Sequence, residues 1–164
     1  MLVCVVSGAR VLPGPEEEIA RWLISTIRSL QVSDDEPVVL IQGGAEGVDS
    51  LAIEIGATPP ITDLVTAHAL WDQHGLRAGP RRNALMLGLA TGLSASKGAR
   101  AVLLAVPGPR SKGTWSAIDM AIKREVRTLV LSRWANPDRV AKYQESLATQ
   151  EKFGEWLDGS GVVK

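Results

Sequence analysis

Residues 2–10, Leu2-Val3-Cys4-Val5-Val6-Ser7-Gly8-Ala9-Arg10, decide how the fold is read. An apolar run rich in β-branched residues ends abruptly in a small, glycine-bearing turn. A short run without polar alternation is the pattern of a strand buried on both faces, as in a parallel sheet. The same grammar recurs downstream. Residues 38–41 run into Gln42-Gly43-Gly44-Ala45-Glu46-Gly47-Val48-Asp49, and residues 101–106 run into Pro107-Gly108-Pro109-Arg110-Ser111-Lys112-Gly113-Thr114. Residues 128–131 form a fourth strand pattern and residues 63–67 a weaker fifth.

Helical patterns fill the intervals. Residues 15–30 place Ile19, Leu23, Ile27 and Leu30 on one stripe, with Glu16, Glu17 and Glu18 in the first turn, where they suit the helix dipole. Residues 47–55 turn Val48, Leu51, Ala52 and Ile55 inward. Residues 80–93 carry Leu85, Met86, Leu89 and Leu93, and residues 115–124 carry Ile118, Ala121 and Ile122. The glycine-containing stretch 88–98 is expected to hold a helix end and a loop. Residues 137–157 are expected as a polar helix with Val140, Tyr143, Leu147, Phe153 and Trp156 as its contacts. Steady alternation of strand and helix predicts an α/β fold, a Rossmann-like three-layer sandwich with a mainly parallel sheet. One domain over residues 2–157 is expected, followed by a flexible tail, 158–164.

Bulk composition narrows the function classes. The 164 residues are 45% apolar, enough for a sizeable core. Eighteen basic residues balance eighteen acidic ones, so formal net charge is zero and duplex nucleic-acid binding is disfavoured. The single cysteine, Cys4, excludes a disulfide framework or a cysteine-based zinc site and is expected in the core. His68 and His74 stand apart from other ligand-type residues, so neither a metal nor a cofactor is expected. The chain lacks an apolar run of membrane-spanning length and begins without a basic n-region, so a cytoplasmic location and no membrane partner are expected.

In a parallel α/β sheet, ligands bind where strands end and helices begin. All three turns, at Ser7-Gly8-Ala9-Arg10, Gly43–Asp49 and Pro107–Thr114, are glycine-rich and enter helices. Glycine lets backbone approach a ligand, and a helix N-terminus offers unpaired amides to an anion. Ser111 and Thr114 add hydroxyls; Arg110 and Lys112 add charge. A fourth element, residues 69–83, places Arg77, Arg81 and Arg82 near the start of the helix at Pro80, where cations oppose the dipole unless an anion faces them. Trp71 fits either a stacking platform or a packing role. Asp49 fits either a helix-start residue or a ligand contact.

These stretches resemble the SLOG superfamily, the Rossmann-like group that includes the DprA and LOG proteins, and especially its branch of small bacterial and phage proteins related to YspA. The family pattern of SG-x-R, GGA-x-G-x-D, W-x-x-x-G-x-x-AGP-x-RN-x-x-M and PG-x-x-S-x-GT stands here at Ser7–Arg10, Gly43–Asp49, Trp71–Met86 and Pro107–Thr114. The resemblance spans residues 2–131. It implies a nucleotide or nucleotide-derived ligand held across these loops, often in a homodimer. The implied contacts are Ser7, Gly8, Arg10, Gly43, Gly44, Ala45, Gly47, Asp49, Trp71, Gly79, Arg82, Asn83, Pro107, Gly108, Ser111, Gly113 and Thr114. Arg10 and Arg82 serve as counter-charges to phosphate on the loops 43–47 and 108–114. In LOG enzymes, which hydrolyse the N-glycosidic bond of nucleoside monophosphates, an arginine and a glutamate act on the ribosyl linkage. Arg82 matches the arginine, whereas the glutamate position falls on Ala117. Alanine cannot hold or move a proton, so catalysis would need Asp49 or Glu46 as its carboxylate. Ligand sensing or binding is therefore the leading expectation, with N-glycoside hydrolysis second and single-stranded nucleic-acid binding third.

Overall fold

The computed structural model describes residues 1–148 and 154–157. Its elements are β1 (Leu2–Gly8), α1 (Glu16–Leu30), β2 (Val38–Gln42), α2 (Val48–Ile55), β3 (Asp63–Thr66), the short α3 (Trp71–His74), α4 (Ala78–Lys97), β4 (Arg100–Val106), α5 (Lys112–Lys123), β5 (Arg127–Leu131), α6 (Pro137–Ala148) and β6 (Gly154–Leu157). The strands form one sheet in the order β3-β2-β1-β4-β5-β6, and every described pairing is parallel. This is the Rossmann strand order. No helix among the described residues is long and apolar enough to cross a membrane.

Period-two geometry divides the apolar strands between two cores. Leu2, Cys4 and Val6 of β1 join Val38, Leu40, Val102 and Leu104 beneath α1 and α2. Val3 and Val5 join Val39, Ile41, Leu103 and Ala105 beneath α4 and α5. Each fully buried leucine or isoleucine contributes about 1.5–3 kcal/mol of burial free energy, which is why strands without a polar face are stable only in this central position. Cys4 lies wholly in the first core, where burial raises its thiol far above the ordinary range and leaves it a packing residue.

The helices depart from expectation in three places. α4 continues through the stretch 88–98 to Lys97 and stops at Gly98, which takes the left-handed conformation (φ +62°). A Cβ at Gly88 or Gly92 would meet open space, so both glycines lie on the outer side of a helix anchored by Met86, Leu87 and Ala90. That anchoring outweighs a glycine cost of about 1 kcal/mol each. The inward stripe also shifts: Leu85 and Leu89 are exposed, while Leu87 and Ala90 are buried. Finally, the terminal helix does not reach residue 157. α6 ends at Ala148, and Gly154–Leu157 instead extends the sheet beside Thr128–Leu131. Gly154 is a poor helix former, and an aromatic residue such as Trp156 suits a pleated edge. Tyr143 docks α6 as expected, stacked 4.8 Å from Trp115 with its hydroxyl donating to the Trp115 carbonyl at 3.2 Å. The tail 158–164 and Phe153 lie outside the described residues.

At the amino-terminal ends of the central strands β1, β2 and β4, Glu36 joins three donors. Its carboxylate accepts from the Val32 amide at 2.8 Å and Arg100 at 2.6 Å, and faces the Met1 ammonium at 3.2 Å. Burial pushes its pKa up, but the Val32 amide, Arg100 and the N-terminus together outweigh burial and hold it at about 2. A carboxyl depressed from its ordinary 4.5 stabilises the fold above that value and loses the contribution as pH falls toward 2. Because Arg100 is half exposed, screening trims the gain to about 1–2 kcal/mol. Glu36→Gln should therefore lower stability by that amount at pH 7. Urea melts at stepped pH should show the difference closing between pH 4.5 and 2; a constant gap across that range would remove the assignment.

Candidate functional site

β1 and β4 end level, with Gly8 beside Val106. Beyond that point the chain leaves β1 toward α1 on one face and leaves β4 toward α5 on the other. The divergence opens a crevice at the carboxyl edge, where open α/β sheets hold ligands. Its floor is fastened by backbone bonds: the Ala9 amide donates to Val106 at 3.0 Å, and the Val48 amide donates to Ala9 at 3.1 Å.

The larger cavity there has a volume of about 610 Å³. Arg10, Arg82, Arg110 and Lys112 line it, and no carboxylate among the described residues does. Its far wall is the start of α5. No acceptor among the described residues meets the amides of Lys112, Gly113 and Thr114, so the first turn of α5 presents unpaired donors to the cavity. Ser111 shapes this loop by accepting from the Gly108 amide at 2.9 Å. The opposite lip is apolar. Val11 is 82% exposed and Leu76 94% exposed, with Leu12 and Pro13 behind them.

A second cavity of about 440 Å³ adjoins the first, between the ends of β2 and β3. The two share Arg10, Ala45, Trp71 and Arg82. The Arg10 guanidinium lies 5.3 Å from the centre of the Trp71 ring, so these two side chains form the bridge between the lobes. Trp71 packs on Arg10 and keeps 45% of its surface exposed.

The loop after β2 is organised from within. Asp49 accepts from the Ala45 amide at 3.2 Å, with the Gly43 amide also directed at it, and pairs with Arg82 at 3.6 Å. The Gly44 amide donates to the side chain of Gln42. Arg82 in turn donates to the Gly43 carbonyl at 3.3 Å and to Asn83 Oδ1, while Asn83 donates to the Gly113 carbonyl at 3.2 Å. Burial raises the Asp49 carboxyl above the ordinary range, and Arg82 and the two amides only partly offset it. In the loop 43–47, expected to face a phosphate, the amides of Gly44 and Ala45 are therefore engaged by the protein's own side chains.

Of the expected contacts, Ser7, Gly8, Arg10, Ala45, Trp71, Gly79, Arg82, Asn83, Gly108, Ser111, Gly113 and Thr114 line the larger cavity. Gly43 and Gly44 line the smaller one. Gly47, Asp49 and Pro107 line neither; Asp49 is 3% exposed beneath its loop. The apolar lip at Val11 and Leu76 was not anticipated. Its only trace in the sequence is apolar residues without periodicity inside glycine-containing turns. His68 borders the smaller cavity, and His74 sits against Arg81 at 3.1 Å. No group of metal-ligating side chains occurs among the described residues.

Comparison of the chain with protein-family models, with curated proteins and with solved structures finds no match. The geometry defines a Rossmann-like domain whose strand-order switch carries a cationic cavity lined by no carboxylate among the described residues.

Proposed function

We propose that the chain binds a nucleotide or nucleotide-derived ligand, holding its phosphate at the first turn of α5 between Arg110 and Lys112. One observation carries the reading. In a chain of zero net charge, four cations and three amides unpaired among the described residues converge on one cavity that no described carboxylate lines. Helix dipole and guanidinium groups both favour an anion there. The apolar lip at Val11, Leu12 and Leu76 suits the face of a base. The motif resemblance to SLOG proteins supports the same class of ligand.

The site gives less support to N-glycoside hydrolysis. Such chemistry needs a carboxylate beside the reacting carbon. Asp49 is sealed under its own loop and Ala117, at the LOG glutamate position, is 1% exposed in the core, so of the two carboxylates named for it only Glu46, at the smaller cavity, is accessible.

Thermal unfolding with AMP, GMP, ADP-ribose, NAD and cyclic dinucleotides tests the proposal. A ligand at a hundredfold excess over its dissociation constant adds about 2.7 kcal/mol to apparent stability. We expect a clear upward shift with at least one class, and its loss in the double variant Arg110→Glu, Lys112→Glu. Both side chains are exposed, so the variant should unfold like the parent without ligand. No shift with any compound would refute the proposal.

A further inference from the structure

The apolar lip of the larger cavity does not hold itself in place. From Arg10 to Gly14 no backbone group makes a hydrogen bond among the described residues. The last bonds before it are those of Ala9, and the next are at Pro15, where α1 begins. Such a segment takes its position from whatever it packs against. On one side Val11 meets solvent at the cavity mouth. On the other lies the Trp134 indole, from the loop between β5 and α6. An added Cβ at Gly14 would lie 2.3 Å from Cε2 and Cζ2 of that ring, so the indole rests directly on the Gly14 backbone. Leu12 and Trp134 both pack against the core beneath α1 and α2.

Trp134 is itself well anchored. The Ala135 amide donates to the Ser132 carbonyl at 2.9 Å and closes a turn around it. Asn136 then accepts from the Asp138 and Arg139 amides at 3.0 and 3.3 Å, starting α6. Arg133 lies 5.5 Å from the centre of the Trp134 ring and pairs with Glu18 at 2.9 Å, which ties this turn to the helix that the lip enters. That ion pair is exposed and contributes little, so the packed indole is the principal support.

We infer that Trp134 is a positioning residue for the ligand site: it lines neither cavity, yet it props Val11, Leu12 and Pro13 at the height where they meet a base. The other support of the lip is the turn after β4, where a Cβ at Gly108 would meet Ala9 at 3.1 Å and Pro13 at 3.5 Å. Removing the indole therefore releases the apolar wall and leaves Arg110, Lys112 and the first turn of α5 in place.

The inference rests on the nucleotide reading above, and the test separates the two. Calorimetric titrations of the full chain would compare AMP, GMP and ADP-ribose with ribose 5-phosphate, which keeps sugar and phosphate without the base. For the parent, we expect at least one base-bearing compound to bind about tenfold or more tighter than ribose 5-phosphate. Trp134→Ala should weaken that compound about tenfold, the scale of one apolar side chain released from burial, and ribose 5-phosphate by no more than about twofold. Trp134→Phe, which keeps a ring beneath Gly14, should restore most of the loss. Gly14→Ala attacks the same contact from the other side. Gly14 has no positive φ, so the indole is what opposes the added methyl group. This variant should reproduce the selective loss even where Trp134→Ala folds poorly, and the double variant should lose no more than either single one. Unchanged affinity for the base-bearing compound in Gly14→Ala, an equal fall for ribose 5-phosphate, or no preference for a base in the parent overturns the prop while the anion site stands. Absence of binding by every compound overturns both.

Discussion

Replacing Asp49 by alanine is expected to lower stability by about 3 kcal/mol, in the range for leaving a buried charge without its partner. The loss has two sources. Arg82 is left without the carboxylate it meets at 3.6 Å, and the Ala45 amide loses its acceptor at 3.2 Å. Urea denaturation reads the effect directly. A small carboxylate should partly mend it: formate, compared with chloride at equal ionic strength, should restore more stability to the variant than to the parent, because it fits the vacated oxygen positions. Asp49→Asn should cost less, since it keeps an acceptor oxygen for the loop amides. Burial raises the Asp49 pKa, so the native state holds its proton to higher pH than the unfolded chain does. Its contribution therefore falls as pH rises from the ordinary aspartate value of 3.8 upward, opposite in sign to that of Glu36, and the asparagine variant should lack that slope. A loss below about 1 kcal/mol for Asp49→Ala would show that the loop does not depend on the carboxylate.

Gly47→Ala is expected to be comparably damaging, at about 3 kcal/mol or more. Gly47 sits at φ +74° and ψ −121°, a conformation essentially reserved for glycine. An added Cβ would lie 2.3 Å from the Ala9 carbonyl oxygen and 2.5 Å from that of Arg10, both backbone atoms with little freedom to yield. This close approach is what lets the Val48 amide reach Ala9 at 3.1 Å and lock the β1 and β2 loops together. The variant should therefore lose ligand-induced stabilisation along with intrinsic stability. A thermal melt within a degree or two of the parent would contradict this account. Neighbouring Gly44 also has positive φ, but a Cβ there would meet the His68 ring, a side chain able to move.

The sheet was legible because its evidence is local and redundant. Each strand core is an apolar run closed by a glycine or proline turn, and burial on both faces removes the polar alternation that would suggest any other placement. The loops that build the crevice were legible for a related reason, since a single glycine-rich turn between strand and helix is common but three on one sheet edge point to a ligand. Helix limits were harder. Gly88 and Gly92 carry a breaker signal that packing by Met86, Leu87 and Ala90 overrides, and nothing local to residues 154–157 announces that β5 offers them an edge.

Roles within the crevice divide along the same line. From residue types and order alone came the Rossmann-like class, the three glycine-rich turns and most of the side chains that line the cavities. Tertiary structure alone decided that Gln42 and Asp49 engage the Gly44 and Ala45 amides of the β2 loop, that Arg82 is held by Asp49 and Asn83, and that Arg110 and Lys112 are left to face the cavity with the open first turn of α5. The reason is physical. Whether a donor is available to a ligand depends on which acceptor reaches it first in three dimensions, and a sequence specifies the donor without specifying its distance to that acceptor.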